Sequence, residues 1–300
     1  MKLLFLYFTF LSFFCSLSIT AQENFSNDPL KAEFVTEDVD RFWKAFDEME
    51  KTGKNTFQAY IDDGTIGLKG FIDNRILGAD SLYPMVQSRK TEYIKSRDLL
   101  EGLESKRKKI RSIYAAMKYW YPEAVFPPIY FVVGRFNSGG TVSEDGVILG
   151  VEKQNELEGL PGLVAHELIH FQQVNLGQDE SLLFQAIIEG SADFIGELIS
   201  GEQINGMAFK YGEAHSEALS KEFVELMNKK NYSDWLYGTS GKDKRPNDLG
   251  YWMGYKITES YFYKQQDKVK AIHDILHLEN PQAFLKASGY LDAYMEPSPD

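Results

Sequence analysis

The sequence predicts an α+β fold that is mainly helical, and three observations carry that prediction. Apolar residues recur at helical spacing over most of the chain, with Val39, Phe42, Trp43 and Phe46 as the first clear stripe. Runs of β-branched and aromatic residues are short and gathered in one region, Ile129 to Val133 and Gly146 to Val151. Two mainly apolar stretches then follow, Leu163 to His170 and Leu182 to Ser200, separated by a polar break over Asn175 to Ser181.

Taken in order, residues 1–21 carry one charge, Lys2, and then an apolar run ending in Ser18-Ile19-Thr20-Ala21. This pattern predicts a secretory signal peptide cut near Ala21, hence an exported protein, periplasmic or secreted. The alternative is a membrane anchor made by an uncleaved leader, although the apolar stretch is short for a full span. Cys15 follows two phenylalanines, which does not suit a lipid-anchor site, and it is the only cysteine, so the mature chain holds no intramolecular disulfide.

Residues 22–300 are enough for a single sizeable domain, divided into an N-terminal part with helices and a small sheet (22–155) and a second part with the motif helices and a C-terminal helical segment (156–300). The formal charge is −12, which argues against nucleic-acid binding by general electrostatics. Lys106-Arg107-Lys108-Lys109 is the densest positive run and reads as a solvated helix face.

Thr36 to Tyr119 reads as helices, interrupted by a turn-rich stretch from Gly64 to Gly78, with Leu82 to Tyr119 forming two helices divided near Gly102. Tyr114, Tyr119, Trp120 and Tyr121 read as core aromatics. Pro127-Pro128 closes this part, and the small sheet comes next. Between its two apolar runs lies Gly139-Gly140-Thr141-Val142, which is either a glycine-rich hairpin turn or a sheet edge able to pair with an extended peptide. Past Ser200 the helices are expected at Gly212 to Lys230, Asn247 to Lys264, Lys268 to Leu278 and Pro281 to Ser288.

The chemistry concentrates in Leu163-Val164-Ala165-His166-Glu167-Leu168-Ile169-His170. Two histidines one helical turn apart can bind one zinc ion, and the glutamate after the first can reach a zinc-bound water. The next helix contains Glu189-Gly190-Ser191-Ala192-Asp193, in which Glu189 and Asp193 share a face. Packed against the first helix, it would offer Glu189 as third ligand and Asp193 as acceptor for the far ring nitrogen of a ligand histidine. Gly190, Ala192 and Gly196 are small enough for the two helices to approach closely at the metal.

This HExxH followed by Glu-x-x-x-Asp, with 23 positions from His166 to Glu189, resembles the gluzincin metallopeptidases. The resemblance implies a zincin-like metallopeptidase fold, with a small sheet before the active-site helix and a C-terminal helical part. It implies one Zn2+ per chain held by His166, His170 and Glu189, with Glu167 as general base and Asp193 behind the ligands. More narrowly, the chain resembles exported bacterial zinc-dependent proteases of poorly defined role, related to gliding-motility-associated lipoproteins. The implied partner is a peptide or protein substrate, and Gly139, Gly140 and Thr141 are the candidate substrate-binding edge.

An oxyanion donor is also expected in such an enzyme. Tyr255, then Tyr251, then His215 are the candidates, and Arg245 is the one for a substrate carboxylate. His273 and His277 repeat the histidine spacing, and Glu296 to Asp300 repeats the carboxylate pair. Pro297 and Pro299 deny that pair a helix, so His273 and His277 read as ordinary helix residues. The alternative functions are a non-catalytic zinc-binding scaffold in an export or cell-surface machine, and a metal-free helical binding protein. The sequence leaves the oligomeric state open.

Overall fold

The computed structural model describes residues 25–154, 157–177, 179–237 and 245–295. The signal-peptide region, the Glu296 to Asp300 pair and residues 238–244 lie outside them. Among the described residues the fold is α+β and mainly helical, with thirteen α-helices around one mixed four-stranded sheet.

The N-terminal helices are α1 (Glu37–Thr52), α2 (Gln58–Asp62), α3 (Ile66–Phe71), α4 (Ala79–Ser88), α5 (Lys90–Glu101) and α6 (Leu103–Trp120). In α1 the predicted stripe of Val39, Phe42, Trp43 and Phe46 is buried and Met49 extends it, acidic residues occupy the positive N-terminal turn, and Gly53 ends the helix in the left-handed region at φ 68°. The break at Gly102 is where the sequence suggests it. A second break at Arg89 divides the preceding run into α4 and α5, and no glycine or proline marks it.

The Gly64 to Gly78 stretch contains a helix rather than turns. Thr65 caps α3 by accepting a hydrogen bond from Leu68 N, and the helix widens into a π-turn over Ile72–Ile76. Gly67 is there for close packing, since a Cβ at that position would lie 2.0 Å from the Tyr130 ring. Of the four expected core aromatics, Tyr114 and Tyr121 are buried, whereas Tyr119 is exposed.

The strands are β1 (Phe34–Val35), β2 (Ile129–Val132), β3 (Gly140–Ser143) and β4 (Gly146–Gly150), in spatial order β1-β2-β4-β3. β1, β2 and β4 run parallel, and β3 pairs antiparallel with β4, so β3 is an edge. Both β2 and β4 are buried along their whole length, as central strands covered on two faces should be. Tyr60 and Tyr93 anchor the end of β2, their hydroxyls donating to Val133 O at 2.9 Å and Gly134 O at 2.7 Å.

Beyond β4 lies a buried acid. Glu152 accepts from Phe136 N at 3.1 Å, while its Oε2 has no hydrogen-bond partner among the described residues. Burial pushes this carboxyl up to about 7 from 4.5. With the folded pKa above the unfolded one, ionising Glu152 costs stability as pH rises from 4.5 through 7. Glu152→Gln should therefore stabilise the protein by up to ~3 kcal/mol above neutral pH and bring no gain at pH 4. Urea unfolding at the two pH values checks this, and an equal effect at both would refute it.

The second part is built on α7 (Leu160–Gln172), α8 (Leu182–Ser200), α9 (Gly206–Ala214), α10 (Ser216–Leu226), α11 (Leu249–Lys264), α12 (Lys268–Leu276) and α13 (Pro281–Ser288). The single helix expected over Gly212 to Lys230 is two helices that meet at His215, and the first of them begins earlier. Almost every residue of α8 is buried, with α7 and α11 packed against it. Gly196 faces α7, where a Cβ would lie 3.4 Å from His166 N. Gly190 does not serve that contact as expected: a Cβ there would lie 2.1 Å from Tyr255 N, so its small size admits α11.

Candidate metal centre

Pro161 sits in the first turn of α7, where its missing N–H costs nothing, and the helix that follows is apolar on nearly all sides. Such a helix is held by burial rather than by its own side-chain pairs. His166 and His170, one turn apart on it, bring their Nε2 atoms to 2.9 Å of each other. From α8, Glu189 Oε2 lies 3.1 Å from His170 Nε2 and 3.6 Å from His166 Nε2. All three residues are buried.

The ring orientations are set from behind. Asp193 Oδ1 lies 2.8 Å from His166 Nδ1, and Asn205 Nδ2 donates to the other Asp193 oxygen at 2.7 Å. His170 Nδ1 lies 2.8 Å from Gln173 Oε1. The Gln173 amide nitrogen donates to Ile188 O and Ser191 Oγ, so its oxygen is the atom turned to the ring. Facing a carboxylate and an amide oxygen, each Nδ1 is placed to donate, which leaves each Nε2 as the ring atom able to bind an ion at the centre.

The two Nε2 atoms and a carboxylate oxygen thus converge on one point, which requires a positive charge there, either a proton or a metal ion. The donor set fits zinc: bonds of about 2.0–2.1 Å in a tetrahedron place neighbouring ligands about 3.4 Å apart. The three observed separations, 2.9, 3.1 and 3.6 Å, lie around that value. The charges oppose desolvation throughout. Burial would push His166 down, but its hydrogen bonds to Asp193 and Glu189 hold it well above the ordinary imidazole range. Burial would raise Glu189, but the two histidines bring it below the usual carboxylate range.

Glu167 is buried on the side of α7 that meets the sheet edge. A Cβ on Gly140 would lie 2.4 Å from Glu167 Oε1, so only glycine leaves room for this carboxylate against β3. Burial raises the Glu167 pKa, opposed by His166, His170 and Arg75 and assisted by Glu189. Arg75, from the π-turn, donates from Nε to Ser138 Oγ at 3.1 Å and from Nη2 to Thr141 Oγ1 at 2.7 Å. It therefore fixes the strand that Glu167 touches. Gly150 N donates to Gly139 O at 3.0 Å, and in an antiparallel ladder that bond makes Thr141 and Ser143 the inward-bonded residues of β3. Gly140 and Val142 turn their backbone groups outward, and Ser138 Oγ already donates to Gly140 O at 2.8 Å.

The two tyrosine candidates separate. Tyr251 stacks on His166, ring centroids 6.0 Å apart and planes 19° from parallel, and burial with the Glu189 charge raises its pKa well above the usual phenol range. Tyr255, the first choice from sequence, is misplaced for that role. Four residues advance a helix by about 6 Å, which carries Tyr255 past the imidazole into edge contacts with Phe194 and Phe209 at 5.3 and 4.8 Å. His215 is exposed and stacks on Tyr211 at 4.0 Å, and Arg245 is paired with Glu222 at 2.8 Å, so neither reaches the centre.

Gln173, Asn205, Arg75 and Tyr237 are absent from the sequence reading. Tyr237 donates to Gln185 Oε1 at 3.0 Å, and burial, then the nearby Glu189 charge, raises its pKa well above the usual phenol range. It makes that bond from the left-handed region at φ 63°, a conformation uncommon for a bulky residue and found disproportionately at functional sites. Gln173 had a signal, being three residues beyond His170 on the same face. The other three come from distant segments with no local pattern.

Neither a curated protein nor a solved structure matches the chain. Residues 132–280, which include His166, Glu167, His170, Glu189 and β3, are similar to a family described as Predicted Zn-dependent protease (DUF2268), whose model they match.

Proposed function

We propose that the protein is an exported zinc peptidase of the gluzincin type, with His166, His170 and Glu189 as ligands of one zinc ion. The observation that supports this most directly is the convergence of the two imidazole Nε2 atoms and a carboxylate oxygen, with Glu167 beside them against a strand edge. A purely structural site has no use for a second buried acid beside Glu189. Bound there, zinc would acidify a water molecule and polarise a peptide carbonyl.

In this reading the rest belongs to the chain's own residues. The outward backbone groups of β3, chiefly those of Val142, pair with an extended peptide and lay its scissile bond across the centre. Glu167 accepts the proton of the attacking water and delivers it to the departing amine. The Tyr251 hydroxyl donates to the oxygen of the carbonyl as negative charge develops on it, and its raised pKa keeps the proton on the phenol. Asp193 and Gln173 keep both imidazoles in the tautomer that binds. The product is a peptide cut at one bond.

The test is zinc content by elemental analysis after exhaustive dialysis. One tightly held zinc per chain in the native protein, kept in Glu167→Gln and lost in His170→Ala, is the expected result. A native chain that takes up no zinc at neutral pH would leave only a helical binding protein.

A further inference from the structure

The chain holds a second histidine pair, and the fold supplies it with a third partner that the sequence did not suggest. His273 in α12 and His277 at its C-terminal end stack with centroids 4.0 Å apart and planes within 5°. Glu123, from the turn between α6 and β2, reaches the same place, and one donor atom from each of the three residues lies within 4.8 Å of the others. The Tyr121 hydroxyl is 2.8 Å from His277 Nε2 and fixes that ring. The neighbouring Asp274 is engaged by Lys270 and Tyr261 and is not needed for the cluster.

We propose that Glu123, His273 and His277 form a second transition-metal site, which binds an ion such as Zn2+ and braces the end of the helix that carries His166 and His170. The chemistry suits it: two imidazoles and one carboxylate are ligands that zinc accepts, and the negative end of α12 favours a cation. The donors are half-exposed or exposed, whereas those of the first cluster are buried, so water competes for the ion here. The site is therefore the weaker of the two.

Its position gives it a consequence. Gln172, in the last turn of α7, clasps Val125 with two hydrogen bonds, Val125 N to its oxygen at 3.1 Å and its nitrogen to Val125 O at 2.8 Å. Just beyond, Val174 N donates to Leu276 O at 2.9 Å. The Tyr121 to Val125 turn and the end of α12 thus grip the same end of α7, and an ion shared between Glu123 and the histidines ties the two grips together.

The inference does not depend on catalysis at the buried cluster. Equilibrium dialysis of the full chain against zinc ion should give two equivalents, the second weaker. His166→Ala/His170→Ala should keep one, His273→Ala/His277→Ala should keep only the tight one, and Glu123→Gln should weaken the second at least tenfold. Saturating the second site should raise Tm, and not in His273→Ala/His277→Ala. Zinc uptake that is the same in the native chain and in His273→Ala/His277→Ala would overturn the proposal, whereas a single equivalent lost in that variant would overturn only the buried site. Should the His166→Ala/His170→Ala chain not fold, the comparison of the native protein with His273→Ala/His277→Ala decides alone.

Discussion

Glu167→Gln should lower peptide-hydrolysis turnover by roughly 10²–10⁴-fold, the usual contribution of a positioned general base. Zinc content and Tm should be unchanged. The substitution keeps the volume of a side chain that is pressed against Gly140 and removes its proton affinity, so the loss reports chemistry rather than packing. The environment supports the role in two opposed ways. Burial raises the Glu167 pKa and so strengthens it as a base, while His166, His170 and Arg75 oppose that rise. The measurement is turnover of a quenched-fluorescent peptide library by zinc-loaded native and variant protein. Equal rates would remove Glu167 from the mechanism and leave the histidine cluster as a structural site.

What the sequence revealed and what it withheld divide along a physical line. His166, His170, Glu189 and Asp193 were readable because the period of an α-helix is local: residues four apart share a face whatever the rest of the chain does. The order of small sheet, motif helix and carboxylate helix was readable for the same reason. Arg75, Tyr237 and Asn205 were not, since each reaches the centre from a segment whose route is fixed by packing between distant elements. The tyrosine pair shows the limit within one helix. Periodicity placed Tyr251 and Tyr255 on one face, but which turn lies over His166 depends on where α11 crosses α8, and one turn decides between the imidazole and the Phe194 pocket. Glycines misled in the same way. Gly67 and Gly190 looked like a turn residue and a metal-side spacer, whereas each makes room for a residue far away in sequence, Tyr130 and Tyr255.

That crossing can be tested at Gly254, and the expected effect on stability is large. A Cβ at Gly254 would lie 1.6 Å from Ala186 O and 2.3 Å from Ala186 C, and both are backbone atoms of a buried helix that has no free side to yield towards. Gly254→Ala should therefore destabilise the protein by ~3 kcal/mol or more, well above the ~1 kcal/mol of an ordinary substitution. Glycine-to-alanine changes elsewhere in helices supply the contrast. Gly206, at the start of α9, has nothing within 4 Å of the added carbon, and Gly206→Ala should be neutral or slightly stabilising. The two variants differ by the same single methyl group, so urea unfolding separates contact from propensity. Glu189 lies on α8 near the crossing and Tyr251 on α11 one turn before it. A forced separation of the helices should then lift the Tyr251 ring from His166 and lower activity even in the fraction that stays folded, because displacement of about 1 Å at a reacting centre is enough to cost a large part of the rate. Gly254→Ala with native stability would mean that α8 and α11 do not touch backbone to backbone, and Tyr251 would lose the support that places it at the metal centre.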